Sequence, residues 1–269
     1  MRKVFFLIII SFLASCGRQR INSDEKIITV SIAPFKYFVE AIAGKEYTVN
    51  VMVPAGSDPH IYEPFPEQIS KLRMSVGYIS NGYLGFEKNW LDRFYETNRQ
   101  MIKVSLGENI DPIAGEHQHE GDHAEGADPH YWVSPVSAAI MAADVKDFLV
   151  RLNPSEREQY ETNYQTLLLK INDLDKKAKE LFGSVPNKSI MIYHPNLAYI
   201  ARDYNLTEIP VEYEGKEPSP SHLRELIDLA RKENLKTVFI QKEYDTKNAK
   251  YVPVQGQSQR KLQCKIAKH

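Results

Sequence analysis

NPSEREQYETNYQTLLLKINDLDKKAKELFG, residues 153–183, is the stretch on which the architecture turns. Asn153, Pro154 and Glu156 stand in the order of a helix start: a capping residue, proline at the first position and an acid at the third. Tyr160, Tyr164, Leu167, Ile171, Leu174, Ala178 and Leu181 then recur at steps of three and four, and Gly183 closes the run. That is one apolar stripe on a helix, and a stripe so regular is a packing face. A helix of about 28 residues rises roughly 40 Å, more than one sheet needs, so it can run across two lobes and fix their spacing.

On its N-terminal side the chain alternates strands and helices. Ile27–Ile32 is a β-branched run, after which Phe35, Phe38, Val39 and Ile42 repeat at helical spacing up to Gly44. Tyr47–Val53 reads as a strand ending at the turn Pro54-Ala55-Gly56. A helix from Pro66, a strand over Val76–Ser80, a helix over Phe86–Tyr95 and a strand over Met101–Leu106 continue the series, and a further helix follows Pro135. On the C-terminal side Ser189–His194 is a strand, Ser219-Pro220 opens a helix carrying Leu223, Leu226, Ile227 and Ala230, and Thr237–Gln241 is again a strand. Repeated β–α units predict an α/β fold: two lobes of mostly parallel sheet flanked by helices and joined by one long rigid helix. The expected divisions are a first lobe over 27–134, a helical region over 135–183, a second lobe over 184–250 and a tail over 251–269. Residues 107–127, rich in Gly, Glu, Asp and His, form a surface loop within the first lobe.

The formal charge of −1 on 269 residues excludes the basic face of a nucleic-acid binder. Residues 1–16 follow different rules from the rest. Arg2 and Lys3 precede the apolar run Val4–Leu13, which in a helix would reach only about 15 Å, half a bilayer core. It reads as the apolar region of a signal peptide. Leu13-Ala14-Ser15-Cys16-Gly17 resembles a bacterial lipobox, which makes Cys16 the lipidated residue, residues 17–26 a polar tether, and the location extracytoplasmic at a membrane. Cys264 is the other cysteine of the two. A cysteine zinc site is therefore excluded, and a metal would need His and carboxylate ligands.

Three of the eight histidines sit beside proline: His60 in Asp58-Pro59-His60, His130 in Asp128-Pro129-His130 and His194 in Tyr193-His194-Pro195. Proline restricts its own φ and its predecessor, so each imidazole hangs from a backbone with few alternatives. Ligands held before the ion arrives lose less entropy on binding it. His60 follows one predicted strand and His194 ends another, at the carboxyl edge where open α/β sheets bind ligands, so a metal would lie between the lobes. Three neutral imidazoles with one further position suit Zn2+. A histidine beside proline is equally a turn residue, and the spacings match no zinc signature. His117, His119 and His123, among acidic neighbours, form an accessory cluster suited to weak, reversible metal capture.

Four stretches carry a resemblance: VPAGSDPHIYEP, the acidic His-rich loop, DPHYWVSP, and YHPNLAYIARDYNL with EGKEPSPSHLRELIDLARKENLKTVFIQKEY. From Ile27 to Lys250 the chain resembles the zinc-uptake solute-binding lipoproteins of ATP-binding-cassette importers, which are related to manganese-binding lipoproteins. The resemblance implies a monomer that captures zinc and hands it to a membrane permease, with ligand roles falling on His60, His130 and His194. Manganese-preferring relatives commonly carry a carboxylate at the third position, so a histidine there implies zinc, with Mn2+ as the alternative cargo. Residues 251–269 depart from the pattern, with four Lys or Arg, no acid and no strand or helix period. They suggest a truncated second lobe whose last strand is uncovered. A manganese- or iron-binding relative and a surface adhesin lipoprotein with a structural metal are the competing readings. A zinc hydrolase is the weakest, since neither H-E-x-x-H nor G-x-S-x-G occurs and no enzymatic role is expected.

Overall fold

The computed structural model describes residues 25–59, 62–115, 126–212, 218–241 and 261–262. Its first sheet is β1 (Ile27–Ile32), β2 (Thr48–Val53), β3 (Ser75–Ser80) and β4 (Ile102–Ser105), in the order β2-β1-β3-β4, every pair parallel. All six residues of β1 are buried, as a central strand covered on both faces requires. The connecting helices are α1 (Ala33–Ala43), α2 (Pro66–Arg73) and α3 (Gly85–Thr97). Helix α1 buries Phe35, Phe38, Val39 and Ile42, the four positions its spacing predicts, and Gly44 ends it at φ 63°. Helix α4 (Pro135–Leu152), capped by the Ser134 hydroxyl accepting from Val136 N at 3.2 Å, lies against this sheet. Gly77 of β3 lacks a side chain where the Phe148 ring of α4 packs.

The long helix α5 spans Arg157–Ser184, 28 residues. Its start differs from the expected cap. Pro154–Glu156 is a short 3-10 turn, and the Asn153 amide instead donates to Glu46 Oε1 at 2.7 Å. Tyr160 also donates to Glu46, and Asn163 Nδ2 reaches the Ile42 carbonyl at 2.8 Å. The first half of α5 is thus tied into the first lobe, and there the stripe is core: Tyr160, Leu167 and Ile171 are buried. In the second half Leu174 and Leu181 are 56% and 59% exposed, so the stripe stops being a packing face. Ion pairs at i,i+4 support that half, among them Lys177–Asp173 and Lys179–Asp175, each at 2.6 Å.

The second sheet is β5 (Ser189–Ile192), β6 (Thr207–Pro210), β7 (Val238–Gln241) and β8 (Lys261–Leu262), in the order β6-β5-β7-β8, again all parallel. Two helices accompany it, α6 (Ala198–Tyr204) and α7 (Pro220–Lys232). Ser219 caps α7 through His222 N, and Leu226 and Ala230 face the core. Helix α6 and strand β6, seven and four residues long, are too short for a period to register in the sequence. β8 corrects a second expectation. Ile240 and Gln241 pair with Lys261 and Leu262, so β7 is covered along these residues by a strand too short to show alternation. Among the described residues no helix is long and apolar enough to cross a membrane.

Candidate metal site

His194 follows β5 by two residues, Glu212 follows β6 by two, and Gln241 ends β7. All three therefore stand at the carboxyl edge of the second sheet, where backbone groups leave the ladder and side chains converge. Glu212 Oε2 lies 2.7 Å from His194 Nδ1. Gln241 clamps the same residue's main chain: its Nε2 donates to the His194 carbonyl at 2.6 Å and its Oε1 accepts from His194 N at 3.3 Å. One residue pair further, Glu208 Oε1 accepts from Asn196 N at 2.9 Å and Leu197 N at 2.8 Å, which pins the turn containing Pro195.

From the first lobe, Pro129 leads into a 3-10 turn over His130–Val133. Asp128 Oδ1 accepts from His130 N at 2.7 Å and sits 2.8 Å from His130 Nδ1. Burial works against the Asp128 charge, but the hydrogen bond and positive potential of His130 outweigh it and hold the carboxyl below its ordinary range. An ionised carboxylate only accepts, so His130 donates to it from Nδ1, and its Nε2 is the nitrogen turned away from Asp128. Glu212 stands in the same relation to His194, against its Nδ1.

The two imidazoles meet across the lobes. Both histidines are 6% exposed. Their ring centroids lie 5.3 Å apart at 81°, and Trp132 flanks His130 at 5.2 Å. Direct hydrogen bonds join the lobes around this pair. The Tyr199 hydroxyl of α6 donates to the Asp128 carbonyl at 2.8 Å and accepts from Ile113 N at 3.3 Å. Ser134 donates to Asp203, and Arg202 Nη1 donates to the Asp111 carbonyl at 2.8 Å. The stem of the His-rich loop is fixed beside them: Ala114 bridges Ala127, Gly115 N donates to Gly126 O at 2.8 Å and Asp128 N to Ile113 O at 2.8 Å.

Two of the three sequence-predicted ligands, His130 and His194, are therefore brought together. His60, the loop histidines His117, His119 and His123, and Cys16 lie outside the described residues. His222 sits at the start of α7, 3.7 Å from Glu225, away from the pair. The carboxylates Asp128 and Glu212 were not assigned from sequence. For Asp128 a signal existed, because Asp-Pro-His places an acid two residues before the imidazole. Glu212 and Gln241 gave none, since strand ends far apart in the chain bring them to His194.

The chain is 26% identical to the zinc-binding lipoprotein AdcA of Streptococcus pneumoniae strain R6, over 86% of this chain and 48% of that protein. It thus spans about half the length of that relative. It is 28% identical to the manganese ABC transporter substrate-binding lipoprotein scaA of Streptococcus gordonii, over 94% of this chain and 86% of the other. A crystal structure of ZnuA superimposes with a TM-score of 0.78 at 37% identity, covering 85% of this chain and 87% of that one. The family model described as zinc-uptake complex component A, periplasmic, matches residues 28–263, so most of the stretch 251–269 that looked divergent lies within the family pattern. With more than four-fifths of its length matched by the family model and its fold shared with a ZnuA crystal structure, the chain belongs to the ZnuA family of zinc-uptake complex component A.

Proposed function

We propose that the protein is the extracytoplasmic capture component of a metal importer, holding Zn2+ between its lobes through Nε2 of His130 and His194, with His60 as third ligand. The observation that carries this reading is a pair of buried imidazoles from two lobes, each facing a carboxylate at Nδ1, half-buried Asp128 for His130 and buried Glu212 for His194. Two imidazoles on one zinc, with Zn–N of about 2.1 Å and the tetrahedral angle, have ring centroids roughly 5.2 Å apart; the separation here is 5.3 Å. The Asp128 and Glu212 carboxylates orient the rings and raise their basicity, as outer partners of zinc-bound histidines do. Imidazole is a borderline ligand that favours zinc over the oxygen-preferring Mn2+. Relatives named for manganese keep Mn2+ as the second candidate cargo.

The ion is cargo in this reading. Tyr199, Ser134, Asp203 and Arg202 join the lobes by protein–protein bonds, so the fold does not depend on a metal as its staple. No part in catalysis is assigned in this reading, in which the ion is bound and passed on. Delivery goes to the membrane permease of an ATP-binding-cassette importer, and lipidation at Cys16 keeps the protein beside it. His117, His119 and His123 supply weak additional equivalents.

Isothermal titration of apo protein with zinc and with manganese tests the reading. One tight zinc equivalent is expected, weakened at least about tenfold, or 1.4 kcal/mol, in His60→Ala, His130→Ala and His194→Ala alike. Unchanged affinity in His194→Ala would remove the site between the lobes.

A further inference from the structure

The bond between Asp128 and His130 is local, two residues apart in one turn, so it sets the ring's tautomer but not its place relative to the other lobe. Something outside the turn has to hold it. Asn81, fully buried at the carboxyl end of β3, reaches both sides of the ligand. Its Nδ2 donates to the Pro129 carbonyl at 3.0 Å, directly before His130. Its main-chain carbonyl accepts from the Tyr131 hydroxyl at 2.8 Å, directly after His130, and from Gly107 N at 3.0 Å. Its Oδ1 accepts from Tyr83 N at 3.0 Å, which fixes the amide's orientation.

Asn81 is itself held from below. Glu87, in the first turn of α3 and 2% exposed, accepts from Asn81 N and Gly82 N, each at 2.7 Å, and from the Ser31 hydroxyl. Gly82, at φ 97°, turns two successive N–H groups toward that one carboxylate, a conformation in which a side chain would be strained. The polar chain thus runs from the core of the first sheet to the backbone on either side of one imidazole.

We infer that Asn81, anchored by Glu87, is a positioning residue of the metal site, fixing His130 at the distance from His194 that one ion can bridge. The inference rests on the ligand assignment proposed above. It predicts a defect in metal affinity and geometry beyond any loss of stability, because a ligand displaced by a fraction of an ångström costs binding where a displaced core residue does not.

The test uses full-length protein and Co2+, whose visible absorption reports ligand geometry, with zinc affinity measured by competition against a chromophoric chelator. Asn81→Ala should weaken zinc binding about tenfold and alter the Co2+ band. Tyr131→Phe, which deletes one of the two flanking bonds and keeps the ring, should weaken it about threefold and keeps the inference testable should Asn81→Ala fail to fold. Thr29→Val serves as control: it removes a buried hydroxyl that bonds Ser75 at 2.6 Å and Asn50 at 3.0 Å in the same sheet, outside the Asn81 network. It should lower the melting temperature and leave affinity and spectrum alone. Wild-type affinity and spectrum in both Asn81→Ala and Tyr131→Phe would overturn the inference, as would an equal loss in Thr29→Val. A wild-type protein that took up no Co2+ or zinc would overturn the ligand assignment and the inference with it.

Discussion

The two lobes share one plan, a sheet of four parallel strands, and differ in how much surrounds it. Among the described residues, the cluster around the first sheet contains thirty buried apolar side chains and that around the second contains eight. Even Tyr199, carried by α6 of the second lobe, counts among the first. His130 is accordingly set in a deep core and braced from below by Asn81, whereas His194 stands on short strands and is held chiefly by Glu212, Gln241 and Glu208. If the two histidines hold one ion as proposed, the first lobe would present the fixed ligand and the second the more easily displaced one.

The largest expected effect is on stability. Phe148→Ala, which empties a fully buried ring against Gly77, should cost about 3–5 kcal/mol, and Leu226→Ala in the second core about 2 kcal/mol. Urea unfolding measures both, and a Leu226→Ala cost equal to that of Phe148→Ala would break the comparison. Next come the carboxylates. Loss of an outer partner typically lowers metal affinity about 10- to 100-fold. Glu212→Gln should fall toward the upper end and Asp128→Asn toward the lower, since His130 keeps its Asn81 brace. The reverse order would place the firm ligand in the second lobe. Hydrogen exchange gives a graded version: amides of β5 and β7 should exchange before those of β1 and β3, and uniform protection would erase the distinction.

The smallest effect is the pH dependence of Asp128. Its folded carboxyl titrates below the unfolded reference of about 3.9, so its contribution is fully present above that value and lost as pH falls through the lower folded one. The stability difference between wild type and Asp128→Asn should therefore shrink as pH falls below about 4. A difference that stays constant there would contradict the lowered carboxyl. Zinc affinity should decline earlier, through the imidazole range near pH 6.5, because only the neutral ring ligates.

Much of this was legible in the sequence, and the misses have physical causes. Strands β1 to β4, helices α1, α3 and α7, and the length of α5 follow from period and capping residues. For the meeting of His130 with His194 the sequence offered the proline beside each histidine and the strand-end place of His194, while His130 stands in a 3-10 turn. What misled was the second half of α5. Leu174 and Leu181 continue the spacing of Ile171, but the lobe that covers Tyr160 and Leu167 has ended by then, and spacing says nothing of where a partner stops. Asn153 likewise has the capping residue type, yet Glu46, 107 residues away in sequence, offers its amide a better bond. Glu212, Gln241 and Asn81 were beyond reach for one reason: each acts through a crossover between parallel strands, where neighbours in space are distant in the chain.

X-ray absorption of the zinc-loaded protein measures the central claim most directly, since it counts ligand types around the ion itself. The account predicts a nitrogen and oxygen shell at about 2.0–2.1 Å, with outer scattering from three imidazoles and no sulfur. In His194→Ala one imidazole should disappear from the spectrum while two remain. A wild-type shell of oxygen alone, without imidazole scattering, would contradict a site built on His60, His130 and His194.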